Sequence, residues 1–323
     1  MKIHNLLLLA SALLASCGSP ASSSNPASSE KTPYTLDLKV ASPAGAPSVA
    51  FYRHLKASEQ MLEINADATA VVAYLSANSG KDIVVAPTNA GLNAITKKAA
   101  PYKIAATLTF GNFYLAVTGN DENKILDADD YVVAFQQNNV PDKIFKYVYS
   151  DLTNVHYVNA ASDASACLIA GKNTADDNAS VDYVLMAEPA LTNALSKNAN
   201  ASEYANIQTE FAKKSGGMEI TQASIFVANS AEKSKVDLFL SSIEEDVKAF
   251  LGDPALIDSY VEGIDEKLLQ AKFSAPVAMI KKQTSSGNRM GLNYKEAKTN
   301  KGAIKNFASL FAITDIADEV FYQ

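Results

Sequence analysis

A chain of 323 residues with 48% hydrophobic composition can bury one large core or two modest ones, and at this length two domains are expected. Charged residues make up 20% and the formal net charge is −7. No basic stripe is present to neutralise phosphates, so nucleic acid is excluded as a partner. Only two cysteines occur, Cys17 and Cys167. Cys17 falls in an N-terminal export signal, which leaves Cys167 without a disulfide partner. In the apolar segment 162–171, Cys167 reads as a small buried hydrophobe.

The chain begins with Lys2 and an apolar run from Leu6 to Leu14 that is too short to cross a bilayer. The run ends in Leu14-Ala15-Ser16-Cys17. Small residues before a cysteine at this distance resemble the lipobox of bacterial lipoproteins, which is cleaved before a cysteine that then carries lipid. Residues 1–16 are therefore expected to be a signal peptide, and Cys17 the lipidation site. Ser19 to Thr32 has no apolar periodicity, so 17–33 reads as a flexible tether. This places the protein outside the cytoplasm, lipid-anchored to a bacterial membrane at the cell surface or in the periplasm.

Tyr34 to Val40 reads as a strand that runs into a Pro-Ala-Gly-Ala loop and then Pro47-Ser48. A helix to about Ser58 follows, with Val49, Phe51, Tyr52 and Leu55 at helical spacing. Met61 to Asn65 is a second strand and Thr69 to Asn78 a helix. Asp82 to Ala86 is almost wholly apolar, as expected of a strand covered on both faces in a parallel sheet. It enters Pro87-Thr88-Asn89 and a helix through Ile95. Alternation of this kind predicts right-handed βαβ units.

Tyr102 to Thr109 and Phe113 to Val117 are consecutive strands joined by Phe110-Gly111-Asn112, and a second alternating set follows. The strand Tyr131 to Phe135 leads through a Gln- and Asn-rich loop to Pro141, which suits a first helical turn because its missing N–H is no loss there. Asp142 suits the positive end of the helix dipole. Ile144, Phe145, Val148 and Tyr149 carry the apolar face. Then come a strand at Val155 to Val158, a helix at Ala161 to Ala170 and a strand at Tyr183 to Met186. The last strand enters Ala187-Glu188-Pro189 and a helix through Leu195.

The segments Asp82 to Ile95 and Asp182 to Leu195 match, each with Asp, a β-rich apolar run, a proline turn and a helix carrying Asn-Ala-Ile or Asn-Ala-Leu. The loops after Val40 and Val133 match in the same sense. The halves thus repeat one unit, each presenting two loops at strand carboxyl ends, where ligands of open parallel sheets bind. Beyond Gln222 to Val227, a strand, only helices are expected: Ala231 to Phe250, one starting at Pro254, and Lys295 to Ala312. This final third is expected to return to the first lobe. Lobe 1 would comprise 34–116 and 227–323, and lobe 2 117–226. Two hinge crossings, near Gly111 to Gly119 and near Thr221 to Val227, would join them.

The order of the lipobox, VASPAGAP, DIVVAPTN, the FGNFYL strand, NNVPDKIFKYV, AEPALT and a closing DEVFYQ resembles bacterial ABC-transporter substrate-binding lipoproteins. Within these it is similar to the nitrate/sulfonate/taurine and thiamine-pyrimidine-precursor group. The resemblance covers nearly the whole mature chain and implies an α/β, two-lobed type II periplasmic-binding-protein fold, each lobe a mostly parallel sheet flanked by helices. It implies capture of a small solute between lobes and delivery to an ABC permease by a monomeric, non-enzymatic receptor without cofactors. The implied ligand-binding positions are Gly45, Ala46, Pro47 and Ser48; Thr88 and Asn89; Gly111 and Asn112; Gln137, Asn138, Asn139 and Val140; and Glu188.

The loops themselves offer helix N-termini at Ala46 to Ser48 and Asn139 to Asp142, which favour anions or ligand oxygens. Asp142 and Glu188 would repel an anion unless they point away. The arginines are Arg53, a turn and a half into its helix, and Arg289, in the tail. Neither reaches the cleft on this reading, which disfavours an amino acid gripped by its carboxylate. Gln136, Gln137, Asn138, Asn139, Asn89 and Asn112 supply neutral donors and acceptors, and Phe110, Phe113 and Tyr114 flat walls. An uncharged or weakly charged heterocycle fits this chemistry as well as nitrate or a sulfonate. Against these stand structural roles: a solvated loop for the amides, core for Phe113 and Tyr114, a turn or cap for Glu188. His54 and His156 lie apart, with no spacing for a metal site or a triad, and no catalytic set is expected. Two other classes share the features. One is an enzyme on the same two-lobed fold, as in the menaquinone pathway; the other is a surface lipoprotein that binds a protein partner.

Overall fold

The structure, a computed structural model, describes residues 34–119, 124–135 and 137–323. The signal peptide, Cys17, the tether and Gln136 lie outside the described residues.

The first alternating set builds a parallel unit from β1 (Val40–Pro43), β2 (Leu62–Asn65) and β3 (Ile83–Pro87) in the spatial order β2-β1-β3. Its connecting helices are α1 (Ala46–Val49) and α2 (Ala68–Val72), and α3 (Thr88–Lys98) follows. The α2 start is fixed by the Asp67 side chain, which accepts from Thr69 N–H. Ile83 and Val85 pack into one face and Val84 and Ala86 into the other, all fully buried. Cover on both faces is what the unbroken apolar run predicts. The helix expected to reach Ser58 is instead one turn of α1 and a 3₁₀ turn at Tyr52–His54. The consecutive Phe51 and Tyr52 are both buried, stacking on Phe239 and packing on Phe250, residues of the long helix 233–252.

The chain then forms β4 (Tyr102–Thr109) in the same sheet and, after three residues, β5 (Phe113–Val117) in a different one. The second sheet adds β6 (Val132–Phe135), α4 (Val140–Val148), β7 (Val155–Val158) and α5 (Ala161–Ala170). A small hairpin, β8 (Lys172–Asn173) with β9 (Ala179–Ser180), precedes β10 (Tyr183–Ala187), α6 (Ala190–Leu195), β11 (Ser202–Asn206) and α7 (Ile207–Ser215). The order is β11-β5-β10-β6-β7, with β7-β6-β10 parallel and β5 antiparallel to both its neighbours.

The return to the first sheet is made by β12 (Ala223–Ala228), which lies antiparallel between β3 and β4. There follow α8 (Lys233–Gly252), α9 (Ile257–Val261), α10 (Glu266–Phe273), α11 (Val277–Ser285), β13 (Leu292–Glu296) and α12 (Lys301–Ser309). The first sheet reads β13-β4-β12-β3-β1-β2. The repeat expected from the two halves is present. Each sheet has the order second strand, first strand, third strand, then an antiparallel strand arriving from the other half.

Three expectations are corrected. The boundary expected after residue 116 falls at 110–112, because β5 pairs with β10 and not with β4. The boundary expected before residue 227 falls ahead of β12, which is buried between two strands of the first sheet. The final third holds a strand, β13, where the expected helix 295–312 begins, and α12 starts only at Lys301. Both β13 and the unforeseen β11 are polar edge strands, so neither carries the apolar alternation that marks a half-buried strand.

Candidate ligand cleft

Two stretches carry the chain between the sheets, 110–112 from β4 to β5 and 216–222 from α7 to β12. They are bonded to each other. Gln222 N–H donates to Thr109 O (2.8 Å), and Gln222 Nε2 donates to Asn112 Oδ1 (3.2 Å). Gly111 sits at φ 96°, a conformation that only glycine adopts freely. The loop before β13 packs flush on it. Phe110 N–H donates to Gly291 O at 2.8 Å, and a Cβ on Gly291 would lie 2.1 Å from the Gly111 carbonyl oxygen.

Beside the first crossing, the turn after β10 carries Glu188, whose peptide bond to Pro189 is cis. The Glu188 carboxylate is fully buried and takes four donors. Thr192 Oγ1 (2.8 Å) and Arg289 Nε (2.8 Å) reach Oε1; Thr192 N–H (3.0 Å) and Gln283 Nε2 (2.8 Å) reach Oε2. Arg289 also donates to Glu203 Oε2 at 2.6 Å and lies 4.3 Å from the Tyr114 ring centre. Burial works against its charge, but the bonds from Glu188 and Glu203 prevail and hold its pKa above the usual arginine value. Arg289 and Gln283 belong to the first sheet's half, Glu188, Glu203 and Tyr114 to the second. The group therefore ties the two halves together next to the hinge. Lys295 on β13 bonds Glu219 of the second crossing in the same way.

The first turns of α3 and α4 both line an open groove of about 430 Å³. Asn89, Ala90 and Asn93 line it from α3, Asn138 and Lys143 from the α4 end, and 310–313 close its side. Asn138 holds φ 66°, and its N–H donates to Asp142 Oδ2 at 2.7 Å. Asp142 is fully buried and also takes Tyr157 Oη (2.8 Å) and Lys146 Nζ (3.2 Å). Asp142 is thus held by three donors and is not among the residues that line the groove.

The expected site residues separate into three places. Thr88, Gly111, Asn112 and Glu188 meet at the crossings, where Asn112 Nδ2 donates to Glu188 O at 2.6 Å and Glu188 N–H to Asn112 O at 2.9 Å. Asn89 and Asn138 line the groove, with exposed Gln137 and Asn139 beside them and Val140 buried as the first residue of α4. Gly45, Ala46, Pro47 and Ser48 lie against the end of α10 instead. Gly45 N–H donates to Lys272 O (3.2 Å), and Ser48 Oγ is bonded to Gly45 O (2.8 Å) and Lys272 O (2.7 Å).

Arg289, expected in the tail, meets Glu188 and Glu203 at the crossings, where its Nε and Nη2 donate to them. Arg53 does stand apart, paired with Asp246 at 2.9 Å. Phe113 and Tyr114 are buried in the second core, and Phe110 is half-buried under Lys295. Gln222, Gln283, Lys143 and 310–313 were not foreseen. Gln222 carried a trace, as the polar opening residue of an apolar strand; Gln283 and Lys143 sit on ordinary amphipathic helices and carry none.

No protein-family model and no curated protein matches the chain. Solved structures do match. An ABC transporter from Parabacteroides distasonis aligns over 88% of this chain and 95% of its own at 19% identity, with a TM-score of 0.66. The ligand-binding component of an ABC-type import system from Staphylococcus aureus, with zinc bound, aligns over 88% and 96% at 10% identity and TM-score 0.60. The periplasmic aliphatic sulphonate binding protein of Escherichia coli aligns over 86% and 87% at 13% identity and TM-score 0.58. The fold is therefore the α/β, two-lobed fold of periplasmic binding proteins.

Proposed function

We propose that this chain is a membrane-anchored extracytoplasmic solute receptor, which takes a small polar solute between its two lobes and hands it to an ABC permease. Taking the sheets as the lobes, lobe 1 comprises 34–109 and 223–323, and lobe 2 comprises 113–215. One observation carries the reading: a groove of about 430 Å³ is lined by helix N-termini from both lobes. That volume falls in the usual range for small-molecule sites, about 300 to 1,000 Å³. Solved ABC binding proteins of the same fold support it. The residues that hold the solute are Asn89, Asn138 and Lys143, which line the groove.

Ligand favours the closed form because only there do both lobes touch it. The protein acts as a monomer, without cofactor and without turnover of the solute. A lipid on Cys17 and the tether 17–33 keep it near its permease. Small-angle scattering during titration with heterocycles, alkanesulfonates, nitrate and amino acids tests the reading, with thermal unfolding alongside. One solute should raise the melting temperature and shrink the radius of gyration together. Chemical conversion of the bound compound, or stabilisation with no change in dimensions, would sink it.

A further inference from the structure

The stretch from Gln283 to Asn300 belongs to the first half, since its strand β13 pairs with β4. Its polar side chains nevertheless reach out of that half at two points. At the first, Gln283 and Arg289 hold the Glu188 carboxylate, and the Tyr114 hydroxyl of the second half donates to Arg289 O at 3.1 Å. At the second, Lys295 Nζ donates to one oxygen of Glu219, and Asn300 Nδ2 donates to the other at 3.0 Å. Glu219 lies on the second crossing. Lys295 Nζ is also 5.0 Å from the ring centre of Phe110, on the first crossing, so one ammonium touches both. The charges that bridge run one way. The cations Arg289 and Lys295 stand on the stretch, and the acids Glu188, Glu203 and Glu219 on what it reaches.

The two anchors differ in burial. The Glu188 side chain is fully buried, and a buried carboxylate stripped of its donors is costly, so this anchor stays made. The side chains of Glu219 and Lys295 are 28% and 41% exposed, so counterions reach them and salt weakens their bond. Lone exposed pairs contribute little. Here both carboxylate oxygens are held and the ammonium also rests on an aromatic ring, which makes a small network. Arrangements about a hinge lie close in free energy, so such a network is enough to select one. We propose that residues 283–300 form an interlobe strap that fixes the angle between the halves in the absence of solute, with Glu188 as its permanent anchor and Glu219 as the anchor that ionic strength releases. This goes beyond the receptor reading, since it requires a hinge between two halves and nothing of the solute.

Spin-label distances test this on the full chain without solute. One label goes on Lys97→Cys in the first half and one on Lys197→Cys in the second, both exposed positions, in a Cys17→Ser background. Cys167 is buried and stays unlabelled. In low sodium chloride the parent protein should give one narrow distance distribution, and high salt should broaden it. Lys295→Met should lose the narrow distribution at low salt and respond little to further salt. Exchanging the charges, Lys295→Glu with Glu219→Lys, should bring back both the narrow distribution and its salt response, because Asn300 can turn its Oδ1 to the new lysine. Circular dichroism checks that each variant folds, and Glu219→Gln replaces Lys295→Met if that variant does not. A broad distribution in the parent at low salt overturns the strap, as does a narrow one in Lys295→Met or a broad one in the exchanged pair. A receptor whose angle is set by solute alone would be broad in every one of these samples, so the receptor reading outlives the strap's failure.

Discussion

Arg289 Nε lies 2.8 Å from Glu188 Oε1, and this ion pair joins the two halves of the molecule beside the first crossing. The Glu188 side chain is 0% exposed and that of Arg289 24%. Losing the arginine strands a buried carboxylate, which commonly costs about 3 to 5 kcal/mol. Partial exposure of Arg289 places Arg289→Met near the low end, about 3 kcal/mol, in urea unfolding. Removing both charges, in Glu188→Met with Arg289→Met, should restore a large part of that loss. A double variant no more stable than Arg289→Met would show that the pair is not the source.

Gly291 admits no side chain. It holds φ 60°, and its missing Cβ would overlap the Gly111 carbonyl. The left-handed conformation alone costs a residue with a Cβ about 1 to 2 kcal/mol, and the overlap adds to it. Gly291→Ala should therefore lower the melting temperature clearly. Gly302→Ala, where nothing lies within 4 Å of the new carbon and α12 favours alanine, should raise it slightly.

Two buried groups of opposite sign meet at α8. Burial, with Arg53 adding to it, lowers the His54 pKa to about 4, and burial raises that of Asp246 to about 6 against the pull of Arg53. Between about pH 4 and 6.5 the unfolded chain binds more protons at His54, so this group makes stability rise with pH. Between the ordinary aspartate value and about pH 6 the folded chain binds more at Asp246, so this group makes stability fall with pH. Each contribution is roughly 3 kcal/mol, and they offset one another. Removing one should expose the other: Asp246→Asn should gain stability from about pH 4 to 6.5, and His54→Asn should lose it over the same interval. Parallel curves for the two variants, in urea unfolding at stepped pH, would contradict the assignment.

Cys167 is buried, and burial, with Asp163 nearby, raises its pKa. Both effects suppress the thiolate. A disulfide reagent should label the folded protein only at the rate of unfolding, and label it at once in denaturant. Rapid labelling of the native protein would show an accessible thiol at this position.

Much of the fold was legible because the chain repeats itself. Short apolar runs rich in β-forming residues announced the parallel strands, in Ile83 to Val85 and again in Tyr183 to Leu185, and proline turns announced the helices after them. The edge strands β11 and β13 were not legible. One of their two sides has no partner strand, so selection for apolar residues is weak there. Sequence order named Asn89 and Asn138, which line the groove, and Asn112 and Glu188, which meet at the crossings. It could not pair Glu188 with Gln283 and Arg289, since those contacts join residues about a hundred positions apart. The Gly45–Ser48 loop shows the converse: its pattern fits an open anion loop, while α10, far later in the chain, lies against it.

The position of β12 bears on how the protein is made. It is wedged between β3 and β4, so the larger sheet has a missing middle until residue 228 has emerged. The strands of the smaller sheet come from one continuous stretch, although its core also takes Phe307 and its buried Glu188 takes Gln283 and Arg289 from later in the chain. Synthesis from the N-terminus should thus pair the strands of the smaller sheet before those of its host, whose long-range pairings make assembly slow.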